Sequence, residues 1–324
     1  MKKLLYLLLV LSFGCAENDP ADDKAREINE WEQQAENVTI MRDGYGVAHI
    51  YGKSDADAVF GLMYAQCEDD FKRVERNYVW AIGRLAEVEG EEALYSDLRA
   101  RLYMTEDEAK KHYQQSPAWL KKLCIAWADG INYFLYKNKE VKPDLLTRFE
   151  PWMTMYFTEG SIGGDIERVS TRNIKSFYEE GQSLALNDRG RGLVEDSLFD
   201  EPKGSNGFAI HGDLTQSGNA MLLINPHTSF YFRGEYHMVS EEGLNAYGAI
   251  TWGQFFIYQG FNEKTGWMHT STYTDVIDEY IEDITQEDGK LVYTYGDEKR
   301  AVDTLTISLS YKEGKNLVEK EFSA

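Results

Sequence analysis

The sequence is poor in proline, cysteine and positive charge. With 6 Pro and 3 Cys in 324 residues, it is neither a proline-rich linker nor a disulfide-stapled scaffold. Its 34 Lys and Arg stand against 55 Asp and Glu, a net charge of -21. That field repels phosphate backbones, so no nucleic-acid partner is expected. The one apolar run near the N-terminus, Leu4 to Leu11, is too short to span a bilayer. No internal repeat or low-complexity block is visible. His211, His237 and His269 lack a spacing such as His-Glu-x-x-His, which argues against a zinc hydrolase. What is present is 43% hydrophobic residues, 27 Gly and an aromatic set of 7 Trp, 21 Tyr and 15 Phe. This composition fits strands and turns around a bulky core, in about two domains or one large one.

Met1-Lys2-Lys3 and the apolar run lead into Ser12-Phe13-Gly14-Cys15, small residues around a lone Cys. This resembles a bacterial lipoprotein signal, residues 1–15, which implies export, lipidation of Cys15 and a membrane contact through that anchor. The resulting location is the periplasm or the outer membrane; an ordinary secretory signal is the alternative. Residues 16–37 are acidic with little apolar periodicity and read as a tether. Cys67 and Cys124 sit in apolar helical stretches and read as two separately buried thiols.

Val38–Asp43, Gly44-Tyr45-Gly46 and Val47–Tyr51 read as strand, turn and strand. Ser54 with Asp57 predicts a capped helix start. Ala56, Phe60, Met63, Cys67, Phe71, Val74 and Tyr78 then recur on one helical face, with Gly90 placed to stop that run or its continuation. A second helix is predicted over about 118–136, with Trp119, Leu123, Trp127, Ile131 and Phe134 towards the core. Residues 187–204 form an exposed connector rich in Gly, Asp and Arg. Beyond it short β-rich runs follow: Phe208–His211, Ala220–Ile224, Tyr247–Thr251, Phe255–Tyr258, Leu291–Tyr295 and Leu305–Tyr311. A helical front half, 38–186, feeding an antiparallel back half, 205–324, predicts an α+β fold. The Glu241-Glu242 and Glu282-Asp283 pairs read as exposed faces, and His269 as a hydrogen-bonded core residue.

The candidate nucleophile is Ser205, in Lys203-Gly204-Ser205-Asn206-Gly207-Phe208. It stands between the connector and the first strand of the back half. His227, in Asn225-Pro226-His227, follows 22 residues later, where the next strand would bring it beside Ser205.

Three blocks together resemble the penicillin acylase (penicillin amidase) family of N-terminal-nucleophile hydrolases, which also holds acyl-homoserine-lactone and aculeacin acylases. The first comprises Arg42-Asp43, Gly46-Val47-Ala48-His49-Ile50, Asp57-Ala58, Phe60-Gly61 and Gly83-Arg84-Leu85-Ala86-Glu87 to Gly90. The second runs from Gly204-Ser205-Asn206 through Met221 to His227. The third joins Gly260-Phe261-Asn262-Glu263, Gly266 to Ser271 and Asp275-Val276-Ile277-Asp278.

The resemblance implies an αββα sandwich, here partial, and cleavage between Gly204 and Ser205 of an inactive precursor. The free α-amine of Ser205 would serve as base for its own hydroxyl, with no cofactor in the chemistry. His227 would orient or assist near Ser205, chiefly in processing, and the Ser271 N–H would hold the oxyanion. Phe261 would line the acyl pocket, together with Thr228, which stands where an apolar aromatic is frequent. Asp275 and Asp278, with Glu167, would bind a structural calcium. Substrates would be N-acylated small molecules: a β-lactam side chain, an acyl-homoserine lactone or a lipopeptide.

The family's second oxyanion donor, an Asn, and a supporting Arg lie further along its large subunit. None of the 120 residues from Ser205 onward resembles those motifs. A missing large-subunit portion or a complementing chain is therefore the expected partner. The alternative function is a non-catalytic surface lipoprotein that keeps the scaffold as a binding module.

Overall fold

Helix formation starts where the capping chemistry predicts. In the computed structural model, which describes residues 20–157, 169–180, 205–228, 231–270, 280 and 282–324, the Ser54 hydroxyl accepts from the Asp57 N–H at 3.1 Å. The Asp57 carboxylate accepts from the Ser54 N–H at 3.1 Å. This box opens α2 (Asp55–Ala81). The helix is interrupted at Asp70 (φ -158, ψ 71), whose carboxylate takes the Arg73 N–H at 3.0 Å and recaps its second half.

Before α2 come α1 (Pro20–Ala35) and the strands β1 (Val38–Arg42) and β2 (Ala48–Gly52). After it come α3 (Ala86–Glu89), α4 (Leu94–Tyr103), α5 (Glu106–Gln115), α6 (Ala118–Lys137) and α7 (Thr171–Glu180). Gly90, at φ 96, closes α3 rather than α2. Among the described residues, no helix is long and apolar enough to cross a membrane.

Two expectations for this half are corrected. The acidic segment read as a tether is largely helix α1, because Trp31 buries its ring and donates to Asp129 Oδ1 at 2.8 Å. Its neighbour Glu27 also pairs with Arg148. Trp119 is 64% exposed, since the first turn of α6 overhangs the core that Trp127, Ile131 and Phe134 fill. The α2 stripe from Phe60 to Tyr78 is buried as predicted, and Cys67 and Cys124 are separate buried thiols. Helices α2 and α6 cross closely because Gly130 has no Cβ to strike the Phe60 carbonyl.

The back half contributes β3 (Ser205–Ile210), β4 (Met221–Pro226), β5 (Arg233–Ser240), β6 (Asn245–Thr251), β7 (Gln259–Phe261) and β8 (Gly266–Trp267). It ends in β9 (Thr285–Glu287), β10 (Lys290–Tyr295), β11 (Glu298–Ala301), β12 (Thr306–Glu313) and β13 (Asn316–Ser323). Both halves build one six-stranded sheet in the order β1-β2-β5-β6-β7-β8. Its β2–β5 seam is parallel, with His49 opposite His237, and the other pairings are antiparallel. The run at Phe255–Tyr258 is a loop, not the expected strand.

Ala48, Ile50, Tyr236, Met238 and Ile250 point from this sheet into the helix-side core and are buried. Side-chain bonds from α2 and α6 then grip the loop after β6, among them Asn77 Nδ2 donating to the Trp252 carbonyl at 2.8 Å. Tyr78 Oη and Trp127 Nε1 both donate to the Gly253 carbonyl, at 3.1 and 2.9 Å. Gln66 accepts from the Gly253 N–H and donates to the Gln254 carbonyl, both at 2.8 Å. Separately, the β12–β13 hairpin packs Phe322 against Tyr95 and Tyr178 on α4 and α7. The described chain is thus mixed helix and sheet, with α+β character.

Candidate active site

Strands β3 and β4 form a two-stranded ribbon of their own, in register Ser205↔Pro226, Asn206↔Asn225, Gly207↔Ile224 and Phe208↔Leu223. Side chains alternate across a strand, so Ser205, Gly207 and Ala209 share one face with Leu222. That face lies on the six-stranded sheet. Leu222 packs where a side chain at Gly266 would stand, and Met268 Sδ fills the place of a Cβ on Gly207. Both glycines are therefore needed for the ribbon to approach. The other ribbon face carries Phe208, Ile210, Met221 and Leu223, all more than 40% exposed.

Ser205 is half-buried at the start of β3. Its hydroxyl oxygen accepts from the His227 main-chain N–H at 3.4 Å. Thr270, just past β8, clasps its backbone: the Thr270 hydroxyl accepts from the Ser205 N–H at 3.1 Å and donates to the Ser205 carbonyl at 3.0 Å. The His227 imidazole turns elsewhere. Its Nε2 lies 3.0 Å from Asn206 Nδ2 and 3.4 Å from Asn225 Nδ2. The expected pair of Ser205 and His227 is therefore brought together, but through the histidine's backbone.

Phe261 stands on the sheet face that the ribbon covers, opposite Gly266 in register and 5.6 Å from the Tyr247 ring. Thr228 is half-buried directly after His227. Gly204, Ser271, Asp275, Asp278, Glu167 and Cys15 lie outside the described residues. Among the described residues, no group of three or more His, Cys, Asp or Glu side chains is placed to hold a metal ion. His269 is exposed rather than buried, its ring against Tyr258 and its carbonyl accepting from Gln259.

The same sheet face carries a hydrogen-bonded line whose members the sequence reading did not join. Asn245 donates to Glu263 at 2.9 Å, which leaves its Oδ1 to accept from His237 Nε2 at 2.8 Å. His237 Nδ1 then meets His49 Nδ1 at 2.9 Å, one ring donating and the other accepting. His49 Nε2 faces Asp43 at 3.6 Å. The Tyr45 and Val47 N–H groups hold the Asp43 carboxyl below its ordinary value. Burial, with Glu235 as hydrogen-bond partner, pushes Tyr247 up to about 12. Only the in-register β2–β5 pairing brings the two imidazoles together, and 188 residues separate them in sequence.

Comparison with known proteins agrees with the three-block resemblance. An acyl-homoserine lactone acylase QuiP from Pseudomonas fluorescens (strain Pf-5) is 24% identical over 300 residues, covering 80% of this chain and 37% of its own length. A penicillin acylase 2 proenzyme from Pseudomonas sp. (strain SE83) is 24% identical over 297 residues, covering 78% and 38%. A solved thermostable penicillin G acylase from Alcaligenes faecalis is similar at TM-score 0.33 and 18% identity, over 45% of this chain and 75% of that one. The chain thus spans little more than a third of the length of these two acylase sequences. The penicillin amidase family model matches residues 37–323, which is most of the chain. The protein belongs to the penicillin amidase family.

Proposed function

We propose that this chain carries the nucleophile of a self-processing acylase that hydrolyses a linear amide and frees an N-acyl group from an amine. The observation that carries the reading is the placement of Ser205. It opens β3, with its hydroxyl on the His227 N–H and its backbone clasped by Thr270.

In processing, Ser205 Oγ attacks the Gly204 carbonyl carbon, the acyl group moves from nitrogen to oxygen, and water hydrolyses the resulting ester. The products are a carboxylate on Gly204 and a free α-amine on Ser205. A free α-amine has a pKa of about 7.7–8.0, so near neutrality it can take the proton of its own hydroxyl as that oxygen attacks a substrate carbonyl. The amine of the substrate leaves with a proton, and water releases the acyl group from Ser205. The Ser271 N–H would meet the oxyanion, and loss of such a donor typically costs about 10²–10³ in rate.

A further polypeptide, either the remaining large-subunit portion or a complementing chain, would bring the second oxyanion donor. The exposed apolar face of the ribbon, with Phe208 at 63% exposure, supports that proposal. Export and a lipid on Cys15 would put the enzyme at the periplasmic or outer-membrane surface. Asp275, Asp278 and Glu167 are proposed as calcium ligands. N-acylated small molecules are the proposed substrates.

Intact-mass measurement of the purified chain tests the reading. A cut before Ser205, lost in Ser205→Ala, is the expected result, and an uncut wild-type chain contradicts it. The second reading is a non-catalytic binding module on the same scaffold. An uncut chain would support it.

A further inference from the structure

We infer that Asn206, seconded by Asn225, is a positioning residue: it fixes His227 as the Nδ1–H tautomer, so that the histidine serves Ser205 through its main-chain N–H. The inference rests on the reading of Ser205 as nucleophile and assigns a task to the two amides beside it.

The ribbon register provides the geometry. Ser205 pairs with Pro226 on the face turned to the sheet, whereas Asn206 pairs with Asn225 on the opposite face. His227 follows Pro226 and meets both faces. Its N–H reaches the Ser205 hydroxyl, and its imidazole tip lies with the two asparagines. Both groups next to Nε2 are amide NH2 donors, so Nε2 must present its lone pair and the ring proton must sit on Nδ1. With Nε2 engaged in this way, the imidazole cannot take a proton from Ser205 Oγ. The ring instead anchors the end of β4, and the anchored backbone presents a donor to the nucleophile's oxygen. Base duty then falls to the Ser205 amine alone.

Histidine tautomers are readable directly, because long-range proton–nitrogen spectra separate a protonated from a bare ring nitrogen. The chain has 6 His, so a histidine-labelled sample gives few signals, and His227 is the set lost in His227→Gln. At pH 8 the free side chain is neutral and favours Nε2–H, which makes the inferred form diagnostic. The wild-type chain is expected to show His227 mainly as Nδ1–H. Asn206→Ala should move the tautomer ratio about tenfold towards Nε2–H, the weight of one net hydrogen bond. Asn206→Asp should move the proton to Nε2 outright, because a carboxylate can only accept. Solvent exchange of the His227 backbone amide should quicken several-fold in Asn206→Ala.

An Nε2–H His227 in the wild type, or a ratio that ignores both substitutions, overturns the inference. The readout needs no turnover. An uncut chain with Nδ1–H His227 would contradict the nucleophile reading alone, and a cut chain with Nε2–H His227 would contradict this inference alone.

Discussion

The two faces of the six-stranded sheet differ in kind. Towards the helices, Ala48, Ile50, Tyr236 and Met238 lie buried against α2, and the few polar groups there are tightly bonded to the loop at Gly253. On the other side stand His49, Tyr51, His237, Tyr247 and Phe261, and the β3–β4 ribbon approaches this face at Gly266. The first face is built to hold and the second to meet something. The described contacts of Ser205 belong to the second, on a short ribbon that approaches it at Gly266 and Met268.

The contrast predicts a descending series of effects. Trp127→Ala, at a fully buried ring bonded to the Gly253 carbonyl, should cost about 3–5 kcal/mol in urea unfolding. A loss below 1 kcal/mol would erase the distinction between the faces.

Next comes a pH effect from the helix side. Burial pushes Asp97 up to about 7, although the Leu85 and Ala86 N–H groups donate to it. Its folded value lies above its unfolded one, so its contribution is fully present below about pH 4 and is lost as pH rises through about 7. Wild-type stability should therefore fall relative to Asp97→Asn between pH 5 and 7.5, by on the order of 2 kcal/mol. Parallel pH profiles would contradict the assignment.

On the site face, Thr270→Val keeps the shape and removes both bonds to Ser205. Scission before Ser205, followed by gel densitometry, should slow by about tenfold to a hundredfold while unfolding shifts by less than about 1.5 kcal/mol. Smallest of all, Phe208→Ser on the uncovered ribbon face should change stability by less than about 0.5 kcal/mol and lower binding of a hydrophobic dye. A large destabilisation there would mean that this face is already covered.

The sequence made the first face more legible than the second, for physical reasons. A helical stripe such as Phe60 to Tyr78 is written in local spacing, and burial follows from it. Trp119 broke the rule because a stripe does not reveal where its partner layer ends. Strand β5 has no clear signature in sequence, since Arg233, Glu235 and His237 occupy its outward positions and dilute the apolar alternation. Helix α1 was hidden by its acidic composition, and one buried tryptophan docks it. At the site, the spacing of Ser205 and His227 was readable because a hairpin joins them. The Thr270 clasp depends on a contact across 65 residues, and the His49–His237 bond on a parallel seam. Neither leaves a local signature.

The central claim is that Ser205 becomes a chain end by its own chemistry. N-terminal sequencing of the purified wild-type protein tests it most directly, with Ser205→Ala as reference. The account predicts a fragment beginning Ser-Asn-Gly-Phe in the wild type and none in the variant. The same fragment from both proteins, or from neither, would contradict it.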